Sequence, residues 1–493
     1  MNTAFTSIKA LAALMLVAAC LNARIAGAEE SDSATSSSSN AASSDETSAT
    51  GSDENRAPKK FFTGQGTRVS FRQAIAAEST EDVTSDETDP PSKDAFPDDV
   101  PEAVEKGSAV GWDTCGESAP CGKCCTCGPP GRFWLRDEYF GFWAKSGRAP
   151  ALVNTSPDGT LPSTTTLYGN ATYNGGFRPG NWTQGGMWLD CCKTWGLQGD
   201  NFFSGRQSSP FFASSNGDPV LTRPFTDANS GAPADELVAF PNVVVGSVTV
   251  SNYNSFAGAG GALKHNLCCW EDCCDTSGDD CGGQCFRGQN CCRLDVLAGF
   301  RYFRFNDNLG VREQLTSIDQ TSGVPVGTQF DVNDSFRTIN NFYGAEFGRV
   351  GQRYRGRWLL EGSARVALGT TQQTVAINGN TVVSFPGQPT AFNQGGLLAL
   401  GSNIGNYTHN SFTAIPIFSG RVGYRVTERF TFLMGYTFLY WNHVARAADQ
   451  IDTTVNPNLI PPPIPVGPNR PAFTLHNSDI WLQGITIGGE LYF

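Results

Sequence analysis

The chain has 493 residues and contains 55 Gly, 33 Phe and only 17% charged residues. This composition favours one β-rich body with a tail over several soluble domains. No run of 18 apolar residues occurs in the sequence, which excludes membrane spans made of helices.

The net charge of −12 arises in the N-terminal part of the chain. Residues 29–54 carry seven acidic side chains and no basic one, and residues 78–105 carry eleven acidic side chains and one Lys. The remainder is slightly basic, but its basic residues are not concentrated enough to indicate nucleic-acid binding. We therefore expect no nucleic-acid partner.

Residues 1–28 have the pattern of a secretory signal peptide. Lys9 precedes the apolar run 10–21, and Ala26, Gly27 and Ala28 form a small-residue cleavage site. A lipoprotein signal, in which Cys20 becomes a lipid anchor, is the alternative. A membrane barrel needs no second anchor, so cleavage after Ala28 is the favoured interpretation.

Residues 29–111 form an acidic leader rich in Ser, Asp and Glu. Its first part, 29–55, is too polar to bury a core, which predicts disorder. We expect order to begin near Trp112, with a Cys-rich periplasmic segment at 112–131.

Residues 132–493 predict an all-β fold, an antiparallel transmembrane β-barrel. The clearest strand lies at 358–371, where Trp358 and Leu360 alternate with Glu361. We predict ten strands, an even number as in bacterial barrels, with twelve as an alternative. They cover 132–144, 184–190, 194–204, 243–263, 293–318, 330–348, 358–371, 411–426, 430–444 and 474–493.

The last predicted strand carries apolar side chains to the final residue. Ile485, Ile487 and Phe493 share one face, and Thr486 and Glu490 share the other. An apolar face that continues to the C-terminus is expected of a barrel in lipid. This ending also resembles the signal by which the barrel assembly machinery recognises its substrates, so that machinery is an expected partner beside the lipid of the outer membrane.

Short and long connections alternate between the predicted strands. Short ones lie at 190–194, 349–356 and 427–428, and long ones at 145–183 and 371–410, among others. Short turns belong to the periplasmic side of such barrels and long loops to the outside. Ten strands starting from a periplasmic N-terminus place each connection on its expected side.

Four segments of the body carry a resemblance to a known family. They are FWLRDEYFGFWAKSGRAPALV at 133–153, WLDCCKTWGLQGDNFF at 188–203, NNFYGAEFG at 340–348 and GYTFLYWNHVARAADQIDTTVNPN at 435–458. Together they resemble the bacterial putative beta-barrel porin family seven. The resemblance covers 132–493 and implies a barrel in the bacterial outer membrane with a porin role.

The sixteen cysteines fall into groups that read as a disulfide framework of a secreted protein. Zinc at the CxxC pairs of 121–127 is the alternative. Neighbouring cysteines rarely pair with each other, so each member of a pair should reach a different partner. The group at 268–292 forms a Cys-rich insertion, and the odd count of fifteen after cleavage leaves one thiol for a neighbouring molecule. The disulfide candidates are Cys115, Cys121, Cys124, Cys125, Cys127, Cys191, Cys192, Cys268, Cys269, Cys273, Cys274, Cys281, Cys285, Cys291 and Cys292.

The sequence contains no motif that indicates an enzyme or a cofactor. Its four His residues have no close metal spacing, and no nucleophile is paired with a base. Two functions remain: a porin for small solutes or ions, and a structural envelope protein linked by periplasmic disulfides to envelope neighbours or to other copies of itself. The candidates for lining the lumen and setting ion preference are Arg301, Glu346, Glu361, Arg365, Arg421, Arg425 and Glu490.

Overall fold

The computed structural model describes residues 127–271, 290–319 and 324–493. The predicted signal peptide, the acidic leader and most of the 112–131 segment lie outside these ranges. So do eight cysteines of the predicted framework, at 115–125 and 273–285. The first strand of the barrel begins at Phe133, inside the described part.

Ten strands form the wall of the barrel. They are β1 (Phe133–Ala144), β2 (Gly176–Trp188), β3 (Trp195–Ser204), β4 (Val244–Glu271), β5 (Asn290–Ser317), β6 (Gln329–Arg355), β7 (Trp358–Ser384), β8 (Gly405–Arg425), β9 (Phe430–Ala445) and β10 (Asn477–Tyr492).

The ten strands close into a complete antiparallel ring. Neighbours in sequence pair with each other throughout, and β10 returns to β1 with Tyr492 opposite Trp134 and Leu482 opposite Ala144. Closure gives every wall strand a partner on both sides, as a barrel in lipid requires, although residues 405–416 of β8 extend beyond its ladder with β9. The prediction of a ten-stranded antiparallel barrel is confirmed.

Side chains alternate between the two faces of the wall, as the period of a strand requires. On β5 the outward residues from Leu294 to Tyr302 are apolar, and Phe300 is 54% exposed. This stretch of nine residues matches the ~9–11 residues that cross a bilayer as a tilted strand. On β10, Ile485 and Ile487 face outward and Glu490 faces inward, as the sequence pattern predicted.

The two ends of the barrel differ. The end with Arg132, Phe493 and the short turns is called the terminal end here, and the opposite end, with the long connections, is called the loop end. Hydrogen bonds tie the residue before β1 to the last residue of the chain, because the backbone N–H of Arg132 donates to the carbonyl of Phe493 at 2.9 Å.

Strands β4, β6 and β7 are longer than the sequence pattern predicted, whereas β5 nearly matches its predicted range of 293–318. Strands β4 to β7 each have 27 or 28 residues, about three times what a bilayer requires. The excess projects beyond the apolar belt at the loop end, where its inner face packs against the long connections. Residues that pattern analysis assigned to loops therefore continue as strands.

The long connections contain short elements of their own, which the sequence did not indicate. Strands at Val153–Ser156, Thr165–Tyr168, Val220–Asp227, Pro233–Ala239 and Thr454–Val455 form a second sheet. Further short strands are Gly147–Arg148, Thr172–Tyr173, Phe211–Ser215 and Ala391–Gln394, and the helices are single 3-10 turns at Ala448–Gln450 and Pro457–Leu459.

The second sheet and the projecting strands enclose a hydrophobic core at the loop end. Phe336, Val375 and Leu221 are buried there beside the segment 397–400. The carboxylate of Asp334 accepts hydrogen bonds from the backbone N–H groups of Leu397 at 3.0 Å and Ala399 at 2.8 Å. The connections are thus fastened over the loop end as an ordered cap.

In the described part of the chain, neither 3-10 turn approaches the length or the apolar character that a membrane-crossing helix needs.

The closing seam between β10 and β1 should tolerate no side chain at Gly488. A Cβ there would lie 2.0 Å from the carbonyl oxygen of Asp137. We expect Gly488→Ala to destabilise the barrel by about 1–3 kcal/mol through overpacking. Urea titration of the folded band on unheated gels measures this.

Gly420→Ala on β8 is the matched control, because its Cβ would meet nothing within 4 Å. Equal urea midpoints for the two variants would contradict the close packing of the seam.

Candidate functional site

The interior of the barrel is crossed by ion pairs between strands that are not neighbours. Arg136 on β1 donates two hydrogen bonds to Glu361 on β7, at 2.7 and 2.8 Å, and a third to Glu490 at 3.1 Å. Strands β1 and β7 are four steps apart in the ring of ten. This pair therefore bridges the lumen nearly across its diameter.

A second bridge lies beside the first. Arg421 on β8 binds the carboxylate of Glu138 on β1 through Nε at 2.9 Å and Nη2 at 2.8 Å. The same guanidinium reaches Glu361 at 3.3 Å, which joins the two bridges. Forked contacts of this kind hold both partners in one geometry.

A second cluster occupies the other side of the lumen. Arg301 on β5 donates to both oxygens of Asp200 on β3, at 2.5 and 2.8 Å, and its Nε donates to Glu346 on β6. Arg365 on β7 contacts Glu346 at 3.4 Å. Trp182 completes the cluster by donating its indole N–H to Asp200 at 3.2 Å.

A third group lies nearer the terminal end. Asp295 on β5 accepts from Lys264 at 3.0 Å and from Arg293 at 2.8 Å. The guanidinium of Arg293 also lies 4.0 Å from the centroid of the Trp188 ring. The cations here are held by a carboxylate and an aromatic face together.

Taken together, the three groups contain equal numbers of positive and negative side chains. They contain six cations and six anions, and every one of the twelve side chains is buried. Arg301 is 2% exposed and Glu138 is 0% exposed. A buried charge is tolerated only when it is paired and hydrogen-bonded, which explains the matched numbers. The members are Arg136, Lys264, Arg293, Arg301, Arg365 and Arg421, with Glu138, Asp200, Asp295, Glu346, Glu361 and Glu490.

An apolar layer covers the charged groups on the loop-end side, and each of the ten strands contributes to it. Trp441 lies at its centre, with ring centroids 6.2 Å from Phe303 and 6.4 Å from Phe342. Phe256 and Phe305 stack at 4.5 Å. One member from each strand, in order, is Phe142, Trp182, Phe202, Phe256, Phe305, Phe342, Ala367, Ile415, Trp441 and Ile480.

The free space among the charged groups is small. A cavity of about 30 Å³ lies between Arg136, Lys264, Glu361 and Glu490. This is room for about one water molecule. At the level of the charged groups and the apolar layer, side chains fill the barrel.

The terminal end is fastened by a disulfide bond. Cys127, before β1, is bonded to Cys291 on β5, 164 residues later in the chain. Both are buried with Tyr354, Leu359 and Leu433. This bond links the segment before β1 to β5 at the terminal end of the barrel.

The other described cysteines divide into bonded and free. Cys191, Cys192 and Cys269 are disulfide-bonded. Cys268 and Cys292 carry free thiols, whereas the sequence predicted disulfides for both. Adjacent strand residues face opposite sides of the wall, so Cys291 reaches Cys127 and Cys292 does not.

The β2–β3 turn adds a polar contact at the terminal end. Lys193 donates from Nζ to the carbonyl of Pro129 at 2.7 Å. Burial, and then the nearby charge of Arg293, lower the pKa of Lys193 to about 8.

The structure brings six of the seven predicted lumen residues into the charged groups. Arg425 is the exception: it lies half-buried at the terminal end, with its guanidinium 5.6 Å from the Tyr354 ring centroid. Sequence reasoning missed Arg136 and Glu138, because β1 has aromatic side chains on both faces and its alternation does not show which face is polar. It also left Asp200, Lys264, Arg293 and Asp295 out of the set.

A group of three or more residues suited to hold a metal ion is absent from the described ranges.

The chain matches a protein-family model over residues 134–493. Its description is Putative beta barrel porin-7 (BBP7). The match spans the whole barrel and points to a location in the bacterial outer membrane. No curated protein matches the chain.

Solved structures with some likeness include an outer membrane protease and a toluene transporter. The outer membrane protease OmpT from Escherichia coli has 9% sequence identity and a TM-score of 0.31, with 74% of this chain and 97% of that chain covered. The P. putida toluene transporter TodX has 9% identity and a TM-score of 0.14, with 74% and 91% covered. TM-scores this low do not indicate a function for this chain.

Removing one partner of a buried bridge should destabilise the barrel strongly. Arg421→Met leaves Glu138 charged, buried and without its partner. We expect a loss of about 3–5 kcal/mol in the free energy of unfolding. The double variant Arg421→Met with Glu138→Gln should recover part of that loss in urea titrations.

The pair Arg312 and Asp331 is the control, since it lies on the surface with side chains 55% and 32% exposed. Arg312→Met should cost less than about 1 kcal/mol. A loss as small for Arg421→Met would show that the interior is hydrated.

Removing the disulfide at the terminal end should lower the free energy of unfolding by a similar amount. Cys127→Ser releases a link across 164 residues, and closing a loop of ~100 residues or more is worth about 4–5 kcal/mol by chain entropy. Cys291→Ser should have the same effect, and the double variant should add nothing. Cys268→Ser, which removes a free thiol, should leave the urea midpoint unchanged.

Proposed function

The chain belongs to the Putative beta barrel porin-7 family, and we propose that it serves as a closed, cross-linked structural barrel of the bacterial outer membrane. The single observation that carries the proposal is the filled interior. In the described part of the chain, charged groups meet across the lumen and an apolar layer receives residues from all ten strands, which supports a closed interior.

The dimensions of the barrel support this function. Barrels of about eight strands are filled by side chains, and those of sixteen to eighteen leave an aqueous channel. With ten strands, long Arg, Glu, Phe and Trp side chains are sufficient to fill the space between the walls. A porin would need small or solvated side chains at the same positions.

The cysteines provide the second support. We place the terminal end in the periplasm, where short turns of outer-membrane barrels lie. The bond between Cys127 and Cys291 then ties the leader to the barrel on the periplasmic side. A barrel fastened in this way suits an anchor for the N-terminal part of the chain, and free thiols such as Cys268 would serve links to neighbouring envelope molecules.

Passage of small ions through a gated lumen is the second candidate function. Two observations favour it: the ion pairs that close the lumen are polar, and a cavity of about 30 Å³ lies among them. Rearranged pairs would create a narrow, charged path. The apolar layer above them would have to open as well, which makes this candidate the weaker one.

Conductance in planar bilayers tests the two functions. We expect the folded, disulfide-intact protein to give no sustained current, because both layers block the lumen. A variant with Trp441→Ala, Arg136→Ala and Glu361→Ala, which removes side chains from both the apolar layer and the pair that crosses the lumen, should give small steps.

Heat-modifiable migration on gels checks that each preparation is folded. A control variant with Phe300→Ala and Phe347→Ala, whose side chains face outward, should stay silent. Steady, voltage-independent current from the wild type would refute the closed barrel and favour the porin.

A further inference from the structure

The outer wall changes character abruptly on β6. Tyr343 and Phe347 face outward within the apolar belt, and Arg349, Arg353 and Arg355 follow on the same face toward the terminal end. All three arginines are exposed. Within the described part of the chain, none of their guanidinium groups has a hydrogen-bond or ion-pair partner.

An apolar groove adjoins these arginines. It has a volume of about 750 Å³ and runs over the outer face of β4 to β8. Ala298 and Ala364 form its floor because their side chains are small. The bulkier Phe347 and Phe418 line its sides. Its lining is hydrophobic apart from the two residues described next and Arg365, whose guanidinium faces the lumen and contacts Glu346.

The polar residues of the groove lie at its edge toward the terminal end. On β6 the last lining residue is Arg349, and on β4 it is His265, whose ring centroid lies 4.1 Å from that of Trp195. The groove is therefore amphipathic along its length. Its apolar part lies within the belt that faces lipid. Arg349 lies opposite Val296, near the terminal-end limit of that belt, and a long side chain there extends its charged head toward the headgroups.

We propose that this groove and the arginines below it bind one phospholipid with a net negative headgroup. The acyl chain lies over Ala298 and Ala364, and the phosphate lies between Arg349 and Arg353. The Cα atoms of these arginines are roughly 13 Å apart along the strand, a gap that two extended side chains close from both sides. Guanidinium groups match phosphate oxygens in charge and in forked geometry.

Charge complementarity selects the occupant. Each basic side chain near a membrane surface favours anionic lipid about fivefold, and a neutral phospholipid gains nothing from the arginines. The proposal rests on the outer-membrane location that the family indicates, and it holds whether the lumen is open or closed.

Native mass spectrometry of the full mature chain, folded in neutral detergent with its disulfides intact, tests the site. We expect one bound phosphatidylglycerol at concentrations where phosphatidylcholine does not stay bound. Arg349→Gln with Arg353→Gln should weaken phosphatidylglycerol retention by at least tenfold. Inorganic phosphate should not displace the lipid, because it has no acyl chain to fill the groove.

Arg337→Gln is the matched control, because Arg337 is an exposed, outward residue of the same strand on the loop-end side of the belt. It should leave retention unchanged. Ala364→Phe, which fills the groove while keeping the arginines, should also weaken retention. Heat-modifiable migration verifies that every variant is folded.

Three results would overturn the proposal. The first is equal retention of phosphatidylglycerol and phosphatidylcholine by the wild type. The second is unchanged retention in Ala364→Phe. The third is an effect of the arginine variants that disappears when residues 78–105 are deleted, since the occupant would then be the acidic run of the chain itself.

Discussion

The narrowness of a ten-stranded ring is the constraint on which the rest of the structure depends. Inward side chains from strands four steps apart meet, as Arg136 and Glu361 do at 2.7 Å. Whatever faces inward is therefore removed from water, and an unpaired charge there would be costly. The equal numbers of cations and anions in the three charged groups follow from this geometry.

The apolar layer also follows from the narrowness of the ring. On β1 the inward residues change from Glu138 to Phe140 and Phe142, and on β5 they change from Arg301 to Phe303. Aromatic side chains fill a cylinder of this width with few rotatable bonds. The interior is thus packed like a protein core. The three charged groups lie on the terminal-end side of the apolar layer, and further buried ion pairs, such as Arg223 with Glu313, lie on its loop-end side.

The two ends of the barrel are stabilised by different means. At the loop end, strands of 27 or 28 residues project beyond the belt and pack with the long connections around the 397–400 segment. At the terminal end, the disulfide between Cys127 and Cys291 links the segment before β1 to β5. The exposed arginines of β6 make the outer rim of this end basic, although the interior above it is neutral.

The sequence by itself determined the class of the fold, the number of wall strands and the outward face of the lipid belt. Each of these follows from local alternation, and Ile485, Ile487 and Phe493 show it to the last residue. Only the tertiary structure decided which charges pair, because Arg136 and Glu361 lie 225 residues apart and no local pattern joins them. It also decided that the lumen is filled and that Cys292 is free, since both depend on distances across the ring. The two-residue alternation of a strand shows which face of the wall a side chain lies on, but it does not show which residues that side chain contacts.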